Sequence, residues 1–112
     1  MKLPLKERVV HELFGGTGDA HICDIASADM MHEKNRCFLT IWLGQGDSLG
    51  VHRHEHESEI YFIIQGCGLY TDNGNKYEIK AGEAVICLDG DEHGICNKEK
   101  EELVFIALVV NS

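Results

Sequence analysis

The 112-residue sequence has little proline and little positive charge, and both scarcities narrow the class of protein. It has one proline against twelve glycines, a ratio that favours many tight turns and an all-β domain of short strands. Ten Lys and Arg residues stand against 19 Asp and Glu residues, which gives a net charge of −9. Phosphate backbones and anionic lipids would repel such a chain, so we predict neither a nucleic-acid nor a membrane partner. The length fits one domain.

Long apolar runs and paired cysteines are also missing. The longest apolar stretch, 103–110, is far too short to span a bilayer, and no apolar segment follows the first basic residues as it would in a signal peptide. The five cysteines include no Cys-x-x-Cys pair. We therefore expect reduced thiols that pack as small apolar groups, and a cytoplasmic protein.

The hydrophobic pattern indicates strands from Arg36 onward. Helical periodicity is weak, and its best candidate is the segment 24–34. An Asn-Gly pair at 73–74 marks a hairpin turn. Short strands separated by turn residues predict a sandwich or a small barrel. The predicted strands are 37–44, 48–54, 59–66, 67–72, 76–82, 84–90, 93–98 and 102–110.

Two of the predicted strands are apolar on both faces. Residues 60–64 and 104–110 alternate sides without presenting a polar face. In a small two-sheet domain one face of each strand normally meets water, so the second apolar face requires a cover. Either the first 35 residues fold back over it or a second copy of the chain packs there, and we predict a homodimer.

Histidines and one glutamate are spaced as metal ligands. His52 and His54 lie two apart on a strand and project from one face, whereas the facing of Glu59 cannot be derived across the intervening turn. His93 would add a third imidazole if its strand lies beside the first pair. Imidazole nitrogens and a carboxylate suit a divalent Fe, Mn, Ni, Cu or Zn ion. Four such ligands around a six-coordinate ion leave two positions for water or substrate.

The other histidines fit the pattern less well. His11, His21 and His32 are isolated, and we interpret them as structural or solvated residues. His56 lies in the turn between the ligand-bearing strands, and three roles are open to it: support of a ligand, contact with a substrate, or an alternative ligand. We do not expect it to bind the ion directly, because His52, His54 and Glu59 fit without it.

These segments resemble the two motifs of the cupin superfamily. The first motif, G-x5-H-x-H-x4-E-x6-G, and the second, G-x5-P-x-G-x2-H-x3-N, match at nine of ten fixed positions, and Leu88 replaces the proline. The motifs span residues 46–97, and the flanking strands extend the likeness to about 37–110. The matching residues are Gly46, His52, His54, Glu59 and Gly66, followed by Gly82, Gly90, His93 and Asn97.

The resemblance implies an all-β fold, an antiparallel double-stranded β-helix or jelly-roll barrel with the metal inside. It carries over His52, His54, Glu59 and His93 as ligands of iron or manganese, with nickel, zinc or copper as alternatives. The expected organisation is an N-terminal arm over residues 1–36, packed on or across the barrel, and a cupin barrel over 37–112.

The expected function follows from the side chains around that ion. The central strands carry no Lys or Arg except Arg53, which alternates away from the ligand histidines, so a phosphorylated sugar would lack its usual partner. We predict a metalloenzyme of the dioxygenase-like oxidoreductase type that acts on a small organic molecule, with Tyr61 or His56 assisting proton transfer. The alternatives are a non-catalytic barrel that binds a metal or small ligand for sensing or storage, and a metal-dependent isomerase or lyase.

Overall fold

The computed structural model describes all 112 residues and contains ten strands and one short 3₁₀ turn, Leu13–Gly15. It has no helix with the length and apolar character that a membrane crossing requires. The strands are β1 Lys6–His11, β2 Asp19–Ala26, β3 Asn35–Leu43, β4 Ser48–Arg53, β5 Glu57–Gln65, β6 Cys67–Asp72, β7 Asn75–Lys80, β8 Ala84–Cys87, β9 Glu92–Cys96 and β10 Leu103–Asn111.

The strands form two antiparallel sheets that face each other. One sheet has the order β1-β2-β3-β10-β5-β8 and the other the order β4-β9-β6-β7. Their inner faces supply a continuous apolar core in which Leu43, Ile63 and Phe105 are fully buried. The predicted all-β jelly-roll architecture is confirmed.

The N-terminal residues extend one of these sheets at its edge. β1 pairs with β2, and β2 pairs in turn with β3. Whether residues 1–36 behave as a unit separate from 37–112 stays a prediction.

Residues 24–34, the best candidate in a weak helical pattern, do not form a helix. Asp24 to Ala26 belong to β2, and the residues after them form consecutive turns closed by short-range bonds such as His32 N–H to Asp29 O. His32 and Glu33 then adopt left-handed φ values of +56° and +58°, which a continuing α-helix does not allow.

The outer face of the six-stranded sheet carries large apolar side chains. On β5, Phe62 and Ile64 alternate with the buried Tyr61 and Ile63 and remain 45% and 47% exposed. Ile86 on the neighbouring β8 is 48% exposed. The apolar outer face expected from residues 60–64 is therefore present, and it is only partly covered.

Candidate metal centre

Three neighbouring segments bring the four predicted ligands together inside the barrel. His52 lies on β4 and is paired with His93 on β9, so the two strands hold these imidazoles side by side. His54 follows directly after β4, and Glu59 projects inward from β5 in the opposite sheet. His54, Glu59 and His93 are all buried, at 3%, 8% and 1% exposure. The four side chains form one cluster that could hold a metal ion.

The donor atoms of this cluster have the spacing that a shared ion would impose. Glu59 Oε1 lies 2.9 Å from His54 Nε2 and 3.0 Å from His93 Nε2, and the two imidazole nitrogens are 3.0 Å apart. His52 Nε2 lies 3.9 Å from the same oxygen, and all four donors fall within 4.8 Å of one another. Two ligand atoms about 2.1 Å from an ion and at right angles to each other are about 3.0 Å apart. The residues present fit a divalent ion.

Hydrogen bonds behind the imidazoles aim their Nε2 atoms at the centre. His52 Nδ1 lies 2.7 Å from Gly50 O, and since a carbonyl oxygen only accepts, Nδ1 carries the proton. His54 Nδ1 contacts the Glu57 carboxylate, and His93 Nδ1 lies 2.8 Å from Tyr70 Oη. Protonation at Nδ1 of His52 and His54 leaves the Nε2 atom of each with a free lone pair, as metal binding requires, and the Tyr70 hydroxyl can accept from His93 Nδ1 in the same way.

One polar atom in the centre has no hydrogen-bond partner. His52 Nε2 is buried and unpaired. Buried polar atoms of native proteins are nearly always satisfied, so an unpaired nitrogen aimed at a carboxylate and two further imidazoles calls for a cation. The unpaired nitrogen is a second observation, beside the donor spacing, that fits a metal ion at this cluster.

The charges of the cluster are unevenly distributed. Burial raises the pKa of Glu59, but the three adjoining imidazoles outweigh it and hold that pKa well below its usual range. The Glu59 carboxylate raises the pKa of His54, whereas burial lowers the pKa of His93. The carboxylate is therefore ionised across the physiological range, and it is the only anionic donor among the four.

Arg36 fixes the carboxylate that supports His54. Its Nε and Nη2 atoms donate to the two oxygens of Glu57 at 2.8 and 2.9 Å. The bidentate pair keeps Glu57 ionised and lowers its pKa. Arg36, Glu57 and His54 thus form a connected series from the protein surface to the cluster.

The two predicted proton-transfer residues lie in different environments. Tyr61 is buried, its ring stacks on His93 at a centroid distance of 4.8 Å, and its hydroxyl lies 3.4 Å from His93 Nε2. Burial raises the pKa of Tyr61 well above its usual value, so the phenol stays protonated. His56 is exposed in a turn with φ of +64° and does not join the cluster. Tyr61 therefore lies beside the donors, and His56 does not.

The supporting residues Glu57 and Tyr70 escaped the sequence analysis. Glu57 precedes Glu59 by two residues on the same strand, so the alternation of β5 places both on one face and was a usable signal. Tyr70 meets His93 only because β6 pairs with β9, and the sequence contains no sign of that register.

Comparisons with known proteins agree with this fold. Residues 39–110 match the Cupin domain family. An oxalate-binding protein from Thermotoga maritima is 37% identical over 101 residues, which cover 90% of this chain and 84% of that protein.

Solved structures with the same fold superpose on this chain. A predicted oxalate decarboxylase from Thermotoga maritima superposes with a TM-score of 0.96 at 33% identity, and the match covers all of both chains. A cupin domain from Schizosaccharomyces pombe superposes with a TM-score of 0.76 at 15% identity, over 94% of this chain and 69% of that one. The second likeness concerns the fold alone.

Proposed function

Because the chain belongs to the cupin family, we propose that its histidine–glutamate cluster binds a divalent metal ion that in turn binds a small chelating carboxylate of the oxalate class. His52, His54, Glu59 and His93 would hold the ion. Three imidazoles and one carboxylate suit any of the divalent ions of iron, manganese, nickel, zinc and copper, and membership of the cupin family favours iron or manganese among them. The observation that carries the proposal is the buried, unpaired His52 Nε2 facing the other three donors.

The charge balance of the interior favours a small anion bound through the ion. No lysine or arginine is buried, and the only buried polar or charged residues are the two ligand histidines His54 and His93, Glu59 and Asn97. A bound divalent ion would supply the positive charge that this interior otherwise lacks. A phosphorylated substrate, which needs several cationic donors, fits this interior poorly.

The size of the ligand follows from the side chains around the cluster. Tyr61, Tyr70 and Phe105 are fully buried and pack together, with ring centroids 4.6 Å apart for Tyr61 and Phe105. Because these rings fill the interior on that side of the cluster, the space left for a ligand favours one of a few atoms that binds through adjacent oxygens. The relative from Thermotoga maritima named as an oxalate-binding protein supports this class.

Calorimetry on the metal-loaded chain tests the proposal. Oxalate should bind with a stoichiometry near one, whereas acetate, which offers a single carboxylate, should bind at least tenfold more weakly. A His54→Ala variant should lose both the metal and the oxalate signal. Oxalate binding to metal-free protein with unchanged affinity would contradict the proposal.

A dioxygenase-like oxidation of a small molecule is the second candidate. The buried Tyr61 hydroxyl favours it, because a protonated phenol 3.4 Å from His93 Nε2 can donate to a ligand at the cluster and move a proton there. A bound iron ion would supply the redox chemistry. Oxygen uptake by iron-loaded protein with small enols and aromatic compounds, reduced in Tyr61→Phe, would support this candidate. Turnover without oxygen would favour an isomerase or lyase instead.

The remaining proposals concern assembly and location. The partly covered outer face that includes Phe62, Ile64 and Ile86 supports a homodimer. We also propose a cytoplasmic location, which is consistent with the five free cysteines.

A further inference from the structure

An aromatic side chain from the N-terminal segment lies directly on one of the metal-facing imidazoles. The ring of Phe14 stacks on that of His52 with centroids 3.7 Å apart and planes inclined by 14°. Phe14 is 51% exposed, whereas only 10% of the His52 side chain is. The phenyl ring therefore has one face on the imidazole, and about half of the residue's surface lies in solvent.

The turn that carries Phe14 is held in an unfavourable backbone conformation. Phe14 has a φ of +55° and Glu12 a φ of +52°, values that bulky residues with a Cβ rarely adopt. Such strain persists only where the surrounding contacts impose it.

Glycines on both sides provide those contacts. A Cβ on Gly50 would lie 2.0 Å from Phe14 O, and one on Gly16 would lie 2.3 Å from Ser48 O. The turn is thus pressed backbone to backbone against β4, the strand that carries His52. A bond from Ser48 N–H to Thr17 O, 2.8 Å, closes the contact.

We propose that Phe14 is a positioning residue of the metal centre, whose ring holds the His52 imidazole with Nε2 aimed at the other donors and slows release of the ion. The proposal rests on the proposed function in taking the cluster to hold a divalent ion. Gly50 O accepts a hydrogen bond from His52 Nδ1, and the stacked phenyl ring restricts rotation of the imidazole plane. Together they fix both the tautomer and the plane.

His52 is the ligand that needs such support most. His54 and His93 each have a side-chain partner at Nδ1, the partly buried Glu57 and the buried Tyr70, whereas His52 is held there by a backbone carbonyl alone. Its Nε2 is also the donor farthest from Glu59 Oε1, at 3.9 Å against 2.9 and 3.0 Å for the other two. A stacked ring supplies the missing restraint.

The test follows the release of Co²⁺ from the full chain after mixing with excess EDTA, by the visible absorption of the bound ion. Phe14→Leu removes the ring and should accelerate release on the order of tenfold, the size of effect seen when residues supporting a metal ligand are removed. Its Co²⁺ spectrum should also change shape, because the His52 donor is no longer held. Phe14→Tyr keeps the ring and should restore the wild-type rate and spectrum.

Two further variants separate positioning from general stability. Gly16→Ala keeps the Phe14 side chain but pushes the turn that carries it away from Ser48 and so moves the ring off His52, and it should accelerate release as Phe14→Leu does. Val9→Ala, at a 57% exposed residue of β1 in the same N-terminal segment, should release Co²⁺ at the wild-type rate. In metal-free protein, NMR should show ring-current shifts of the His52 protons that disappear in Phe14→Leu.

The outcomes distinguish this proposal from the proposed function. Wild-type protein that binds one Co²⁺, together with a Phe14→Leu variant of unchanged rate and spectrum, overturns the role of Phe14 and leaves the metal centre intact. Equal acceleration in Phe14→Tyr and Phe14→Leu also overturns it, since the ring is retained in one of them. Wild-type protein that binds no Co²⁺ overturns both proposals.

Discussion

Hydrogen bonds behind the imidazoles decide what the cluster can bind. Glu57 is the charged member of this outer set, because it accepts from His54 Nδ1 and is itself held by Arg36. Replacing it by glutamine removes the charge while keeping the shape. We expect Glu57→Gln to weaken metal binding about tenfold, since ligand-supporting residues contribute on that order.

Competition with a fluorescent chelator measures this affinity. Glu55→Gln in the turn just before β5 is the matched control, because Glu55 is exposed and its replacement should leave the affinity unchanged. Equal affinities for the Glu57 variant and the wild type would show that Glu57 does not support His54.

Cys87 has the most strongly perturbed thiol of the chain. It is 2% exposed, and burial raises its pKa to about 12. At pH 8 the reactive thiolate is therefore scarce, and alkylation by iodoacetamide should be about a thousandfold slower than for an unperturbed cysteine.

The pH dependence of this alkylation shows whether the pKa of Cys87 is raised. Because the pKa lies above the working range, the labelling rate of Cys87 should rise about tenfold per pH unit from pH 8 to 10, as followed by peptide mass spectrometry. A rate that levels off near pH 9 would contradict the raised pKa.

Residues within one strand were the predictable part of the site. Alternation along β5 placed Tyr61 and Ile63 on the face of Glu59, and all three are buried. Relations between strands were not predictable, because they depend on register. The stacking of Phe14 on His52 depends on a turn whose left-handed residues have no sequence signature.

At the scale of elements, β10 forms the centre of the six-stranded sheet. It pairs with β3 on one side and β5 on the other, and it buries Phe105 and Ala107 completely. The sequence left open which face of this strand pointed inward, because both faces are apolar. The structure resolves this, since Phe105 contacts Tyr61 beside the metal cluster.

Truncation of Phe105 should destabilise the folded protein. Phe105→Ala should lower the free energy of unfolding by about 3–5 kcal/mol, the usual cost of deleting a buried aromatic ring. Chemical denaturation measures it, with Val9→Ala as the exposed control. A loss below about 1 kcal/mol would mean that the ring is not part of a packed core.

At the scale of the whole molecule, the apolar outer face concerns the oligomeric state. Phe62, Ile64 and Ile86 remain about half exposed on one sheet. The sequence pattern predicted this apolar face. It could not decide between the N-terminal residues and a second copy of the chain as its cover, and in the structure the N-terminal strands extend the edge of the sheet.

Introducing a charge on this face should break the proposed dimer. Phe62→Glu should sediment as a monomer of 12.5 kDa while the wild type sediments at twice that mass. Val51→Glu, at a 52% exposed position of the other sheet, should remain dimeric. A monomeric wild-type chain at micromolar concentration would contradict the dimer.

The central claim is that four side chains hold one metal ion, and metal analysis tests it most directly. Inductively coupled plasma mass spectrometry on tag-free protein should find close to one equivalent of a divalent transition metal, with iron or manganese expected from the cupin family. His54→Ala should lose it. Protein that holds no metal even after anaerobic reconstitution, or a His54→Ala variant that retains the full equivalent, would contradict the account.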